Sequence, residues 1–324
     1  MEFRVSDNWA APCLLVAAML ILILFQSVFF ADAGIAGPEE GGGDGAEYIG
    51  LNGVKYRPDR FFMLAVASNV CAFLFTGAFF VKFRGLRAKD LKLGLPKLKY
   101  LPLLLYMLLF LVAGTVLVNA LLVCFGWADG VGRVMPFLFQ TGGNTAYEMG
   151  VLISFVVLPA VCEEFFFRSA VAAGYERHGA FCACVFTAAA FSLSHFSPKF
   201  FPSYFFAAVV FYITAKVTDS VFFSMLLHAV YNFFCIYLGD KALGALHFEQ
   251  NWAMFIFVAA IIFLVSVFFV LNALEGIYSK KAYLNEPSPE SIPEGGIRGA
   301  AAGFLKSLGS PAFIAAVIIF IIYV

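Results

Sequence analysis

Long apolar runs separated by short polar stretches dominate the chain, and the run lengths set the first picture. The runs lie at about 11–31, 61–82, 100–125, 147–174, 180–196, 203–217, 220–238, 252–274 and 311–324. A helix rises about 1.5 Å per residue and the hydrocarbon core of a bilayer is about 30 Å thick, so roughly 20 apolar residues span it. The pattern predicts an all-α fold, a polytopic transmembrane bundle of eight or nine helices. The sixth run is short for a full crossing and the last is marginal. Pro198 and Pro202 break the chain after the fifth run, because proline cannot continue a helix. Gly174 reads as the stop of the fourth helix, and Asp219-Ser220 as the N-cap of the seventh. Ala31-Asp32-Ala33 resembles a signal-peptidase site, yet the run before it has spanning length and reads as a retained helix.

The polar segments order the chain. Residues 32–60 hold Gly41-Gly42-Gly43 among Glu39, Glu40, Asp44 and Glu47, a solvated acidic loop. Between the second and third runs lie Lys82, Arg84, Arg87, Lys89, Lys92, Lys97 and Lys99, opposed only by Asp90. A short basic loop between two spans marks the cytoplasmic side rather than a nucleic-acid surface. The amino terminus is then inside, the acidic loop outside, and the active layer is expected to open towards the cytoplasm. A polar inner segment covers 275–309. Three stretches follow: N-terminal helices (1–145), a helical core carrying the polar motifs (146–240) and C-terminal helices (241–324).

Composition agrees. The 324 residues are 62% hydrophobic, 18% aromatic and 13% charged, with mean hydropathy +0.90; a soluble domain carries about twice that share of charge. The net charge of zero gives no bulk field for nucleic acid. Seven cysteines, an odd number lying in or beside apolar runs, argue against a disulfide framework, and Cys182-x-Cys184 reads as packing. The 41 phenylalanines read mainly as lipid-facing bulk, with the lining of a lipid-accessible groove as the other use.

Charges inside the fourth run demand a reason, since ionisable groups in a membrane helix face partners or cavities. Glu163 and Glu164 are adjacent, so the helix turns them about 100° apart. Glu164 and Arg168 are four apart, share a face and can pair, which leaves Glu163 free. His195 ends Phe191-Ser-Leu-Ser-His195, with Phe191 one turn before it, able to fix the imidazole. His228 opens His228-Ala-Val-Tyr-Asn232, with imidazole and amide on one face. At helical rise, Glu163, His195, His228 and Asn232 lie about 17, 22, 12 and 18 Å from the inner ends of their helices, in one broad layer. A carboxylate and an imidazole can bind and deprotonate water, while a second imidazole and an amide can donate to an oxyanion. That set describes amide hydrolysis. Glu163, His195 and His228 could instead hold a divalent metal such as zinc, assembled from three helices because no His-Glu-x-x-His is present.

These residues resemble the signature of the CPBP family, the CAAX proteases and bacteriocin-processing enzymes: Glu-Glu-x-x-x-Arg, Phe-x-x-x-His and His-x-x-x-Asn on successive helices. Here it reads Glu163-Glu164-Phe-Phe-Phe-Arg168, Phe191-Ser-Leu-Ser-His195 and His228-Ala-Val-Tyr-Asn232, within about 148–240. The resemblance implies a glutamate-dependent intramembrane (metallo)endopeptidase, acting on membrane-associated or prenylated CAAX-like peptides. It implies Glu163 as general base, His195 positioning the water, and His228 with Asn232 serving the oxyanion. Glu164, Arg168 and Phe191 support them. Membrane lipids and a peptide or lipidated protein would be its partners, in the cell (inner) membrane of a bacterium. Two other readings use the same residues: a transporter or proton relay, and a catalytically silent immunity or scaffold relative.

Overall fold

The computed structural model describes residues 7–32, 49–51, 54–127, 139–238, 248–284 and 296–324. Ala33, most of the acidic loop, part of the predicted outer loop 126–148 and part of the polar segment 275–309 lie outside the described residues. In chain order the elements are α1 (Asp7–Asp32), β1 (Ile49–Leu51), β2 (Val54–Tyr56), α2 (Pro58–Arg84), α3 (Leu98–Cys124), β3 (Phe139–Gln140), α4 (Thr145–His178), α5 (Ala180–Ser194), α6 (Phe201–Thr218), α7 (Val221–Tyr237), α8 (Phe248–Tyr283), α9 (Gly296–Leu308) and α10 (Pro311–Tyr323). The protein is an all-α polytopic membrane protein. Among the described residues six helices are long and apolar enough to cross, or seven if α9 and α10, bent by 48°, form one broken span. The expected count of eight or nine transmembrane helices is not confirmed, because α5 and α7 are apolar but short. Part of the expected polar segment is helical instead, as α9.

The helix ends follow from local chemistry. Pro58 and Asp59 open α2, where a missing N–H and a negative charge suit the first turn. Gly85, at φ 62°, closes it after Lys82 and Arg84. Asn144 caps α4, its side chain accepting from the Ala146 N–H at 2.9 Å. Pro202 does not break a helix; it sits in the first turn of α6. Pro159 stands inside α4, and the turns before it, Leu152–Val157, are wound as π-helix, as are Phe165–Val171 beyond. Widened turns absorb the hydrogen bond that proline cannot donate.

One predicted boundary moves, and one predicted cap keeps its place without its bond. Gly174 does not stop α4; the chain stays helical to His178 and turns at Gly179, whose φ is 96°. Gly174 is a packing glycine: a Cβ there would stand 2.8 Å from Ala11 Cβ of α1. Gly174→Val is therefore expected to prise α1 from α4 and cost about 1–3 kcal/mol, the usual range for overpacking, read as a lowered unfolding midpoint in detergent. Ser220 precedes α7 but its hydroxyl does not cap it; the Ser220 Oγ donates to the Gly94 carbonyl at 2.7 Å.

The basic connection takes that capping role. Its Lys92 carbonyl accepts from the Val221 N–H at 2.9 Å, and its Leu91 carbonyl accepts from Ser169 Oγ at 2.8 Å. Lys92 Nζ and Lys216 Nζ reach Glu176 Oε1 at 2.5 and 3.2 Å. The Arg87 backbone N–H holds the Asp90 carboxyl below the usual range. The loop is thus fastened across the ends of α4, α6 and α7.

At the opposite end lies a small sheet that the apolar pattern did not predict. Its order is β2-β1-β3, antiparallel throughout, with Ile49 opposite Tyr56 and Leu51 opposite Phe139. Rings tie it to the helices: Tyr56 to Phe61 at 5.1 Å, Phe61 to Phe155 at 5.3 Å and Phe139 to Phe155 at 4.8 Å. Along the flank, α8 runs antiparallel to α3, with Tyr106 on Phe269 and Phe110 on Phe263.

Candidate active site

The deepest charges sit on α4. Arg168 and Glu164 are essentially unexposed, and Arg168 Nε lies 3.2 Å from Glu164 Oε2. The pair is an ion pair by proximity; the hydrogen bond from this guanidinium goes from Nη2 to the Ala208 carbonyl at 3.2 Å. Around it stand the rings of Phe191, Phe211 and Phe167, at 4.7, 5.3 and 5.7 Å. A weakly hydrated guanidinium suits such a cage, since ring faces attract it where water is absent.

Glu164 is fully engaged. Besides Arg168 it accepts from Ser224 Oγ and from His228 Nδ1, the latter at 2.9 Å. Glu163, one residue earlier, points elsewhere. It is 7% exposed, and its Oε2 is buried with no protein hydrogen-bond partner. The predicted division between a tied acid and a free one is present.

His195 is not inside its helix as expected, but is the first residue beyond α5. Its Nδ1 lies 2.7 Å from the Phe191 carbonyl, and its ring lies between Phe191 (4.5 Å) and Tyr204 (4.1 Å). A carbonyl can only accept, so Nδ1 carries the proton and Nε2 of the neutral ring keeps its lone pair. The next residue, Phe196, has φ 47°, a left-handed geometry costing a bulky residue about 1–2 kcal/mol. Its ring packs on Tyr323 at 4.8 Å. The turn that presents His195 is therefore strained and held by packing.

His228 stacks on Phe211 at 4.4 Å. Its Nδ1 faces a carboxylate and must donate, so its free atom is Nε2. Asn232 lies one turn on, and its Nδ2 is 3.5 Å from the Phe155 carbonyl, at the weak limit of a hydrogen bond. Glu163, His195, His228 and Asn232 all line one cavity of about 730 Å³. That size falls within the range of ligand sites. Its walls come from all three stretches of the chain, and eight of the 41 phenylalanines line it, among them Phe25, Phe73 and Phe155.

Glu163, His195 and His228 line the cavity together. Among the described residues no group of three His, Cys, Asp or Glu side chains gathers to hold a metal ion. His228 and His195 engage Nδ1 with Glu164 and the Phe191 carbonyl, and each keeps Nε2 free.

Two neighbours escaped the sequence reading. Ser224 is four residues before His228, on the same face of α7, so its spacing was a usable signal. Tyr204 had none: its place beside His195 depends on the fold-back between α5 and α6.

Residues 145–234 match the family model described as Type II CAAX prenyl endopeptidase Rce1-like. No curated protein and no solved structure matches the chain. This helical core, which carries all three motifs, is thus similar to the type II CAAX prenyl endopeptidases, a family of membrane proteases.

Proposed function

We propose that the protein is an intramembrane endopeptidase that hydrolyses membrane-associated peptides with water activated by Glu163. The observation that carries this reading is the convergence of Glu163, His195, His228 and Asn232 on one cavity, with Glu163 Oε2 unpartnered. Glu163, as carboxylate, takes a proton from a water whose other hydrogen bonds His195 Nε2. The water oxygen attacks the scissile carbonyl carbon. The carbonyl oxygen, now negative, meets Asn232 Nδ2. His228 Nε2 adds a second donor only when the ring is protonated, a charge that Glu164 at 2.9 Å would partner. Collapse of the intermediate breaks the C–N bond, and Glu163 returns its proton to the leaving amine. Glu164 and Arg168 position His228 rather than react.

The test uses purified protein in liposomes with membrane-anchored peptides, the products read by mass spectrometry. Wild type is expected to cleave, and Asn232→Ala to lose about 10²–10³-fold in kcat with little change in KM, as for removal of one oxyanion donor. Equal turnover in the variant, or no product from any peptide, would remove the reading.

A further inference from the structure

The helices that wall the cavity do so mainly with the half remote from the basic loop, and the lining reaches only just past their midpoints, at Phe73, Glu163, Phe211 and His228. In α2 the lining residues Phe61, Ala65 and Asn69 come early, and Lys82 and Arg84 end the helix. In α6 Ser203 and Tyr204 line the cavity near its start, while Lys216 lies near its end. In α7 the order is reversed, and so is the direction: Asn232 and Ile236 come late, and Val221 at the start is held by Lys92. Leu51 and Tyr56 of the small sheet complete the lining. Beyond Glu163, towards the basic end, Phe166, Phe167 and Arg168 are essentially unexposed and close the way. The cavity therefore leads away from the basic end, contrary to the expected cytoplasmic opening.

The charge asymmetry orients the bundle. The Lys82–Lys99 loop, Arg177 and Lys216 share one end, and the antiparallel run of α8 against α3 brings Lys280 and Lys281 there too. The described residues of the cavity end carry Lys55, Arg57, Arg60 and Lys199, with Arg57 beside Asp59 at 3.7 Å. Excess Lys and Arg in short loops stays in the cytoplasm. The lining adds a second constraint: among the described residues Glu163 is its one charged side chain, and no Lys or Arg lines it. A substrate's terminal carboxylate would be desolvated there with no permanent cation to partner it, since the charge of a protonated His228 is already met by Glu164.

We propose that the cavity takes its substrate from the non-cytoplasmic side of the membrane, as an uncharged apolar segment of a membrane-anchored peptide. The substrate half rests on the hydrolase reading above; the sidedness does not.

Sidedness is read with Lys55→Cys and Arg87→Cys, both exposed positions, in full-length protein with Cys13, Cys71 and Cys124 replaced by alanine. A membrane-impermeant maleimide is applied to intact cells. Lys55→Cys should label fully, and Arg87→Cys only after permeabilisation. Labelling of Arg87→Cys in intact cells, or none of Lys55→Cys, overturns the orientation whether or not the protein cleaves anything. For the substrate, an apolar membrane-anchored peptide is compared as free acid and as C-terminal amide. The amide should be cut at least as fast; a strict need for the free acid overturns the neutral-segment assignment.

Discussion

Glu163→Gln is expected to lower peptide cleavage by about 10²–10⁴-fold, the usual contribution of a positioned general base, equivalent to about 3–5 kcal/mol of barrier. The substitution keeps shape and volume but removes the lone pair that takes the proton. Glu163 is buried with an oxygen that no protein group satisfies, so the neutral amide should leave the unfolding midpoint unchanged or raise it. Loss of activity with retained stability is thus the signature. Turnover within a few-fold of wild type would eliminate Glu163 as the base. Glu164→Gln separates the two acids, because it loosens Arg168, Ser224 and His228 together and should act first on stability.

Arg168→Met should destabilise the fold by about 3–5 kcal/mol, the range for breaking a buried ion pair from one side. It leaves the Glu164 carboxylate in a dry site and removes a cation from between three rings. Made together with Glu164→Gln, the same substitution should cost far less, because no uncompensated charge remains. Unfolding midpoints of the two single variants and the double variant measure this coupling. A single-variant cost under about 1 kcal/mol would show that the pair is not what holds this part of the bundle. Arg168→Lys should rescue poorly, because a compact ammonium cannot reproduce the flat face that the rings surround.

Much of the site could be read without coordinates because its pairs are local. Glu164 with Arg168, Phe191 with His195, and His228 with Asn232 are each four residues apart, and in a helix that spacing alone makes neighbours. The lengths of the first four apolar runs likewise matched α1 to α4. What was missed depends on contacts between distant segments. The bond from His228 to Glu164 joins α7 to α4 and changes the role open to His228, from a ready oxyanion donor to a donor only when charged. Gly174 and Gly179 look alike as helix stops, and only the approach of Ala11 and the φ of 96° tell the packing glycine from the turn. The strands, two or three residues long, have no room for an alternating pattern.

The sequence by itself determined that the chain crosses a membrane as helices, which end carries the positive charge, and that one acid of two is left unpaired. These follow from properties that neighbouring residues carry with them: apolar length, charge in short loops and the helical period. Only the tertiary structure decided that Tyr204 braces His195, that the imidazoles are committed elsewhere at Nδ1, and that the cavity leads away from the basic loop. Those outcomes depend on how whole helices pack, where a shift of one turn would redirect every side chain without altering any local pattern.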